Sequence, residues 1–240
     1  MHHPLPKVRR RVFYLFFRFV QSLRIDIEIA HIPSILQAIQ DLLTVEVEFP
    51  ADFEPPSPPP SHVPQENDFL SQILQLPCMF DSQLHMFEAA GALVSALWSQ
   101  PEAQANALQS LMNPMLVKLS ECLTVPLTGN VENEGDAVTI LTVHHTIRAL
   151  GSVPKGFTEY PNPIPDDYIQ PPLAEFRQMS EAILVSLDVM GRHKVVREAV
   201  SCWLCTLRQR LSLLPCRHVL HLAGLSMRLD LRSQPISQDS

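Results

Sequence analysis

The residues best suited to hold a metal ion stand near the end of this 240-residue chain. Two cysteines three positions apart precede a third cysteine and two histidines, and thiolates and imidazoles are the ligands that zinc prefers. The set is Cys202, Cys205, Cys216, His218 and His221. Because Trp203 and Leu204 are bulky where a metal knuckle would turn, buried thiols of a core helix are the simpler interpretation. A zinc-dependent enzyme or redox protein stays a minor hypothesis, and we predict no metal site and no cofactor.

The adjacent histidines His144 and His145 are the other candidates for acid–base chemistry. Neighbours on a helix point about 100° apart, so the two rings cannot chelate one metal ion or relay a proton to one nucleophile. His144 lies nearer the apolar seam of its segment, which favours a partly buried structural histidine. With 7 glycines, the chain also lacks a phosphate-binding loop and a nucleophile elbow. We therefore predict no catalytic residues, no enzyme activity and no small-molecule substrate.

Basic residues that could contact phosphates gather towards the two ends of the sequence. Residues 1–24 hold six basic and no acidic residues, whereas residues 25–140 hold one basic and sixteen acidic ones. An anionic partner should therefore avoid the middle of the chain. The alternative for any such cluster is a solvated helix face. The candidate contacts are Lys7, Arg9, Arg10, Arg11, Arg18, Arg192, Lys194 and Arg197.

The segment that carries the first cluster, VRRRVFYLFFRFVQSLR, is predicted to be a helix with an unusually wide apolar face. Its apolar residues span an arc of roughly 200°, about twice the stripe of an ordinary surface helix. Such a helix needs a neighbour on both flanks, so we expect the chain to begin in the middle of something larger. The residues of this arc are Val8, Val12, Phe13, Leu15, Phe16, Phe17, Phe19, Val20 and Leu23.

Apolar residues at helical spacing predict six further helices. They are Ile32–Thr44, Asp81–Ser99, Ala107–Leu123, Asp136–Leu150, Pro172–Met190 and His193–Arg210. Ser99 and Glu102 have the spacing of a capping box, with Pro101 in the first turn. Gly151 and Gly191 are placed to end two of the helices.

These elements predict an all-α fold: a HEAT-like α-solenoid of antiparallel helix pairs, one of which spans about 42 residues. A closed bundle is the alternative, but the wide apolar face of the first helix favours a solenoid, whose units cover one another on both flanks. We expect residues 1–199 to form the repeats, with Pro-rich loops at about 47–67 and 151–171. Residues 200–240 should form a divergent helical segment and a disordered tail. Five cysteines indicate a reducing compartment, and no segment suits membrane insertion.

The stretch LHMFEAAGALVSALWSQPEAQANALQSLMNPMLVKLSECL resembles the exportin-T family of tRNA nuclear export receptors, within the karyopherin-β superfamily. The family's "lFEtaG" and "l..Pl" patterns are matched here by Phe87, Glu88, Ala90, Gly91, Met112, Pro114 and Met115. The opening VRRRVFYLFFRFV is also similar to a helix of this family. The resemblance covers roughly residues 7–199, and the following tail matches poorly.

The resemblance implies a non-catalytic scaffold with tRNA, Ran-GTP and nuclear pore proteins as partners, shuttling between nucleus and cytoplasm. It also implies that the family's N-terminal repeats and C-terminal arch lie outside this chain, so we expect weak tRNA binding. A general helical-repeat adaptor for proteins is the alternative. The arrangement of the basic residues separates the two: Arg10, Arg11 and Arg18 facing the same concavity as Arg192 and Arg197 would favour RNA.

Overall fold

A computed structural model describes residues 5–23, 26–47, 66–76, 78–129, 133–157 and 172–211 of the chain. These residues form helices and contain no strand, which confirms the all-α prediction. Short 3₁₀ segments occur at Ile29–His31, Gln40–Leu43 and Val153–Gly156. The helices are α1 Pro6–Leu23, α2 Ile32–Ala38, α3 Glu66–Gln75, α4 Phe80–Ser95, α5 Pro101–Thr124, α6 Glu134–Ser152, α7 Leu173–Met190 and α8 Lys194–Leu211.

The helices are arranged in two layers. Helices α1, α4, α6 and α8 lie side by side in one layer, while α2, α5 and α7 form the other. Within the first layer α1 runs parallel to α4, since Phe13 packs near Met86 while Val20, further along α1, packs near Leu97. Successive antiparallel pairs that contact mainly their neighbours are the arrangement of a helical solenoid, as the sequence predicts.

Helix α1 is covered on one flank only by the part of the chain that the structure describes. Phe13 and Val20 are 4% and 1% exposed where they pack on α4. On another side of the helix, Leu15 and Phe19 are 50% and 57% exposed. The wide apolar arc is therefore real, but the second neighbour that it predicts is not among the described helices.

The centre of the fold depends on a close approach between α4 and the 3₁₀ turn that follows α6. A Cβ atom on Gly156 would collide with backbone atoms of Glu88 and Ala92, and one on Gly91 would collide with the carbonyl of Val153. Only glycine permits these backbones to come so close. The glycine of the FEAAG stretch therefore fixes how the turn after α6 packs on α4.

Two predicted ends of helices are wrong, whereas α7 ends before Gly191 as predicted. Helix α6 continues through Gly151, which leaves room for the Trp203 ring 3.2 Å from where its Cβ would stand. The chain then forms a 3₁₀ turn, so residues 151–156 are helical rather than loop. Helix α5 is preceded by Gln100 without a side-chain cap, so the predicted capping box of Ser99 and Glu102 does not form.

Other differences concern the segment between α2 and α4. The helix predicted from Ile32 ends at Ala38 and gives way to a 3₁₀ turn. Helix α3 was not predicted, although its Leu70 and Ile73 are buried in the main core. Most of the predicted loop at 47–67, most of that at 151–171 and the predicted tail after residue 211 lie outside the described residues. Among the described helices, none has the length and apolar character needed to cross a membrane.

Candidate nucleic-acid interface

Three of the predicted basic residues line one exposed face of α1. Lys7, Arg11 and Arg18 are exposed and share that face with Tyr14, because positions 7, 11, 14 and 18 are separated by three or four residues. The Arg11 guanidinium lies 5.7 Å from the centre of the Tyr14 ring, within the range of a cation–π contact. We call these four residues the basic face of α1.

The imidazole ring of His85 on α4 packs against the aromatic residues of α1 next to the basic face. The His85 ring meets Tyr14 edge to face, with ring centres 5.7 Å apart, and stacks on Phe17 at 5.2 Å. Tyr14 is thereby held between a cation and a second ring while its own surface stays exposed. An exposed aromatic between basic residues suits contact with RNA, which combines phosphates with stackable bases. Sequence reasoning had not placed Tyr14 or His85 at the site.

Arg9 and Arg10 do not belong fully to this face. Both are half-buried, and the Nε atom of each is buried without a hydrogen bond in the described part of the chain. Arg9 lines a cavity of about 420 Å³ together with Asp41 and Glu46. Its charge is therefore directed towards the protein and towards acidic residues rather than towards an external polyanion.

The second predicted cluster lies at the turn between α7 and α8, where its side chains have partners within the protein. Arg197 donates hydrogen bonds from Nη1 to the carbonyl oxygens of Gly191 at 2.7 Å and Arg192 at 2.8 Å. Lys194 lies 3.7 Å from the Glu198 carboxylate. Glu198 therefore offsets the charge of Lys194, and the backbone carbonyl oxygens occupy one nitrogen of the Arg197 guanidinium, so the turn offers a ligand less than its composition suggests.

A carboxylate at the start of α6 further reduces the charge at this turn. Asp136 accepts hydrogen bonds from the backbone and hydroxyl of Thr128, at 3.2 and 3.0 Å, and from the Gly129 backbone at 3.0 Å. Burial raises the pKa of Asp136, but these hydrogen bonds and the nearby Arg192 outweigh it and hold the pKa below its ordinary value. Asp136 therefore stays ionised beside Arg192 at neutral pH.

The two basic clusters belong to the same layer of parallel helices, with α4 and α6 between them. At about 8–10 Å between neighbouring helix axes, α1 and α8 are separated by roughly 25–30 Å. A ligand that touches both clusters must therefore be extended and carry negative charge along its length.

The groups considered for catalysis are poorly placed for it. His144 and His145 are buried, and burial lowers the pKa of His144 to about 3 and that of His145 to about 4, with Arg148 contributing to both and His145 to the shift of His144. Both rings are therefore neutral near pH 7. Their centres are 5.3 Å apart, and both ring nitrogens of His145 are buried without a hydrogen-bond partner among the described residues.

The proposed zinc ligands are not assembled either. Cys202 and Cys205 are exposed on α8, so the expectation of buried thiols is wrong. The remaining three residues, Cys216, His218 and His221, lie outside the described residues. Within the part that is described, no three residues among His, Cys, Asp and Glu are grouped closely enough to hold a metal ion.

Two layers of antiparallel helix pairs with an exposed basic face define a helical-repeat scaffold rather than a protein with a closed active-site cleft. The Exportin-T family model matches residues 1–209, and the chain belongs to the Exportin-T family. This confirms the resemblance seen in the sequence.

Fungal relatives support the same assignment. The chain is 38% identical over 199 residues to Exportin-T of Laccaria bicolor and 32% identical over 200 residues to that of Coprinopsis cinerea. It is 34% identical over 207 residues to Exportin-T of Neurospora crassa. Each alignment covers 83% of this chain but only 17% or 18% of the relative. The chain thus spans about a sixth of the length of the curated relatives it matches.

Proposed function

We propose that this chain is a segment of a tRNA nuclear export receptor. It acts as a non-catalytic scaffold that binds tRNA together with Ran-GTP, contacts nuclear pore proteins and shuttles between nucleus and cytoplasm. The observation that carries this proposal is membership of the Exportin-T family over residues 1–209. The two-layer helical array and the basic face of α1 are compatible with it.

In this proposal the basic face of α1 supplies the RNA contacts of the segment. Lys7, Arg11 and Arg18 approach backbone phosphates, and Tyr14 offers a ring for an unstacked base. Such contacts recognise charge and A-form shape rather than base sequence. Three phosphate contacts give weak, salt-sensitive binding. Ran-GTP strengthens it if it holds the array in the form that binds RNA.

A helical-repeat adaptor that binds a protein is the second candidate function. It is favoured by the acidic residues 25–140 and by the second cluster, in which Arg197 and Lys194 already have partners within the chain. An acidic surface suits a basic protein segment better than it suits RNA.

The test is binding of fluorescently labelled tRNA to the chain at about 50 and about 200 mM salt, with and without Ran-GTP. A triple variant, Lys7→Ala with Arg11→Ala and Arg18→Ala, removes the charge of the basic face. The matched control is Lys118→Ala with Arg177→Ala, which removes exposed cations from the other layer.

We expect tRNA binding that weakens with salt, strengthens with Ran-GTP and falls at least about tenfold in the triple variant. The slope of log K against log salt should lose roughly 0.7–0.9 for each phosphate contact removed. The control variant should bind like the parent chain. Absence of tRNA binding in every condition, or equal losses in both variants, would contradict the proposal and favour the adaptor.

A further inference from the structure

A cavity lies between the first helix pair of the array and the second. Its volume is about 420 Å³, within the roughly 300–1,000 Å³ of typical small-ligand pockets. Arg9 of α1 lines it together with three residues that follow α2, Asp41, Thr44 and Glu46. Side chains of α3, α4 and α6 complete the wall, so the cavity is enclosed on several sides by the described helices.

The cavity has a charged mouth and an apolar floor. Asp41 and Glu46 are exposed and Arg9 is half-buried, whereas Phe80 and Leu141 are buried. The other buried apolar residues of the floor include Phe13, Leu42 and Ile73. A ligand that fits both parts of the cavity has a charged head and an apolar side chain.

The charges at the mouth have opposite signs but do not pair with one another. Among the described residues, no ion pair joins Arg9 to Asp41 or Glu46, and the buried Nε atom of Arg9 has no hydrogen-bond partner. A buried polar atom without a partner costs free energy that a bound molecule can recover. Because the guanidinium and the carboxylates line the same cavity, one molecule can contact both.

These charges decide which class of ligand fits. A phosphate or a dicarboxylate would be attracted by Arg9 but repelled by Asp41 and Glu46, and a simple cation would meet the charge of Arg9. An uncharged apolar molecule would displace water from all three groups without replacing its hydrogen bonds. A molecule that carries one charge of each sign satisfies both sides of the mouth.

We propose that this cavity binds a free α-amino acid with an apolar side chain. The Arg9 guanidinium holds the carboxylate, which is the group that its planar fork of donors matches best. The Glu46 carboxylate accepts hydrogen bonds from the ammonium group, and the side chain packs on the apolar floor.

This inference goes beyond the proposed function and does not depend on it. Arg9 and Glu46 are not among the residues to which that function assigns RNA contacts, and the amino acid is a ligand rather than the substrate of a reaction. Binding of tRNA and binding of an amino acid are measured separately, so the failure of one leaves the other standing.

The experiment measures binding of leucine to the full chain by isothermal titration calorimetry. Three related compounds each lack one part of the ligand: N-acetylleucine lacks the ammonium group, leucine amide lacks the carboxylate, and glycine lacks the side chain. We expect leucine to bind with a Kd below about 1 mM, at least about tenfold more tightly than each of the three.

Two variants identify the residues that hold the two charges of the ligand. Arg9→Gln should weaken leucine binding at least about tenfold but should affect leucine amide much less, because that compound has no carboxylate to lose. Glu46→Gln should likewise weaken leucine binding and should affect N-acetylleucine much less. Arg177→Gln replaces an exposed arginine of α7, and this matched control should bind leucine like the parent chain.

No binding of leucine at concentrations up to about 10 mM would overturn the proposal. Equal binding of leucine, leucine amide and N-acetylleucine would do the same, since the charges of the ligand would then contribute nothing. Equal losses for leucine and leucine amide in Arg9→Gln would also contradict it, because Arg9 would then maintain the shape of the cavity rather than hold a carboxylate. Circular dichroism checks that each variant is folded.

Discussion

At the scale of single residues, the buried pair His144 and His145 couples the stability of the fold to pH. Their pKa values in the folded chain, about 3 and about 4, lie below the ordinary value of 6.5. As pH falls below 6.5 the unfolded chain takes up protons first, so the free energy of unfolding should decrease between about pH 6.5 and pH 4. Each histidine contributes at most about 1.4 kcal/mol per pH unit. Urea unfolding at about pH 7, 6 and 5 measures this decrease.

The contribution of the pair is isolated by a variant that cannot titrate. His144→Leu with His145→Leu replaces both imidazoles by apolar side chains that cannot titrate. The leucine at position 145 still fills the space beside Phe80, whose ring centre is 4.0 Å from that of His145. Its stability should change much less between pH 7 and pH 5 than that of the parent chain. The control, His31→Gln, replaces an exposed histidine and should keep the parent's dependence. An unchanged pH dependence in the double leucine variant would show that other groups are responsible.

The residues of the candidate interface could be chosen only in part from the sequence. Lys7, Arg11 and Arg18 are exposed as the pattern suggests, but Arg9 lies on the packed side of α1. Its spacing of four and eleven residues from Phe13 and Val20, both buried, contained that information. The Lys194–Glu198 pair also follows from a spacing of four residues. The acceptors of Arg197 do not, because which backbone carbonyl oxygens a guanidinium reaches at a turn depends on how that turn folds.

At the scale of elements, the turn between α7 and α8 should depend on Arg197. Its two hydrogen bonds to the carbonyl oxygens of Gly191 and Arg192 satisfy groups that the end of α7 leaves exposed. We expect Arg197→Ala to lower the free energy of unfolding by about 1–3 kcal/mol. Chemical denaturation followed by circular dichroism measures the change.

Lys194→Ala is the matched control for this turn. Its contact with Glu198 is an exposed ion pair, so its removal should cost less than about 1 kcal/mol. The tRNA assay adds a second readout. If Arg197→Ala left stability unchanged and weakened tRNA binding as strongly as the basic-face variant does, Arg197 would be an RNA contact and its structural role would be wrong.

The sequence predicts most of the helices because their apolar residues recur at helical spacing, as from Leu108 to Leu119 in α5. Prediction from the sequence fails where tertiary contacts determine whether a helix forms or where it ends. Gly151 looks like the end of a helix, yet α6 continues because the missing side chain makes room for Trp203. Helix α3 is only ten residues long and becomes stable by burying Leu70 and Ile73 in a core that the rest of the chain provides.

At the scale of the whole molecule, both the surface charge and the packing contacts change from one helix pair to the next along the array. The basic face lies on the first helix of the array, whereas the central α4 and α5 carry Asp81, Glu88, Glu102 and Glu121 against the single basic residue Lys118. A polyanion is therefore attracted to α1 and repelled by the centre.

An array in which each repeat contacts mainly its neighbours should also open from its ends. Phe13→Ala with Val20→Ala removes the side chains that fix α1 on α4; the cavity at Phe13 costs up to about 3–5 kcal/mol and the smaller one at Val20 adds less. We expect faster amide hydrogen exchange in α1 and α2, with smaller changes in α6, α7 and α8, because α1 packs chiefly on α4. Hydrogen exchange with mass spectrometry resolves these helices.

Trp203→Ala is the mirror-image control at the other end of the array. It removes the ring that packs on Gly151 and should accelerate exchange in α8 and α6 while leaving α1 protected. In a closed bundle both variants would loosen every helix together, because all helices would share one core. Two separate, local responses would show that each helix pair is stabilised mainly by contacts with its neighbours. A scaffold of this kind can change its curvature when a partner binds at one end.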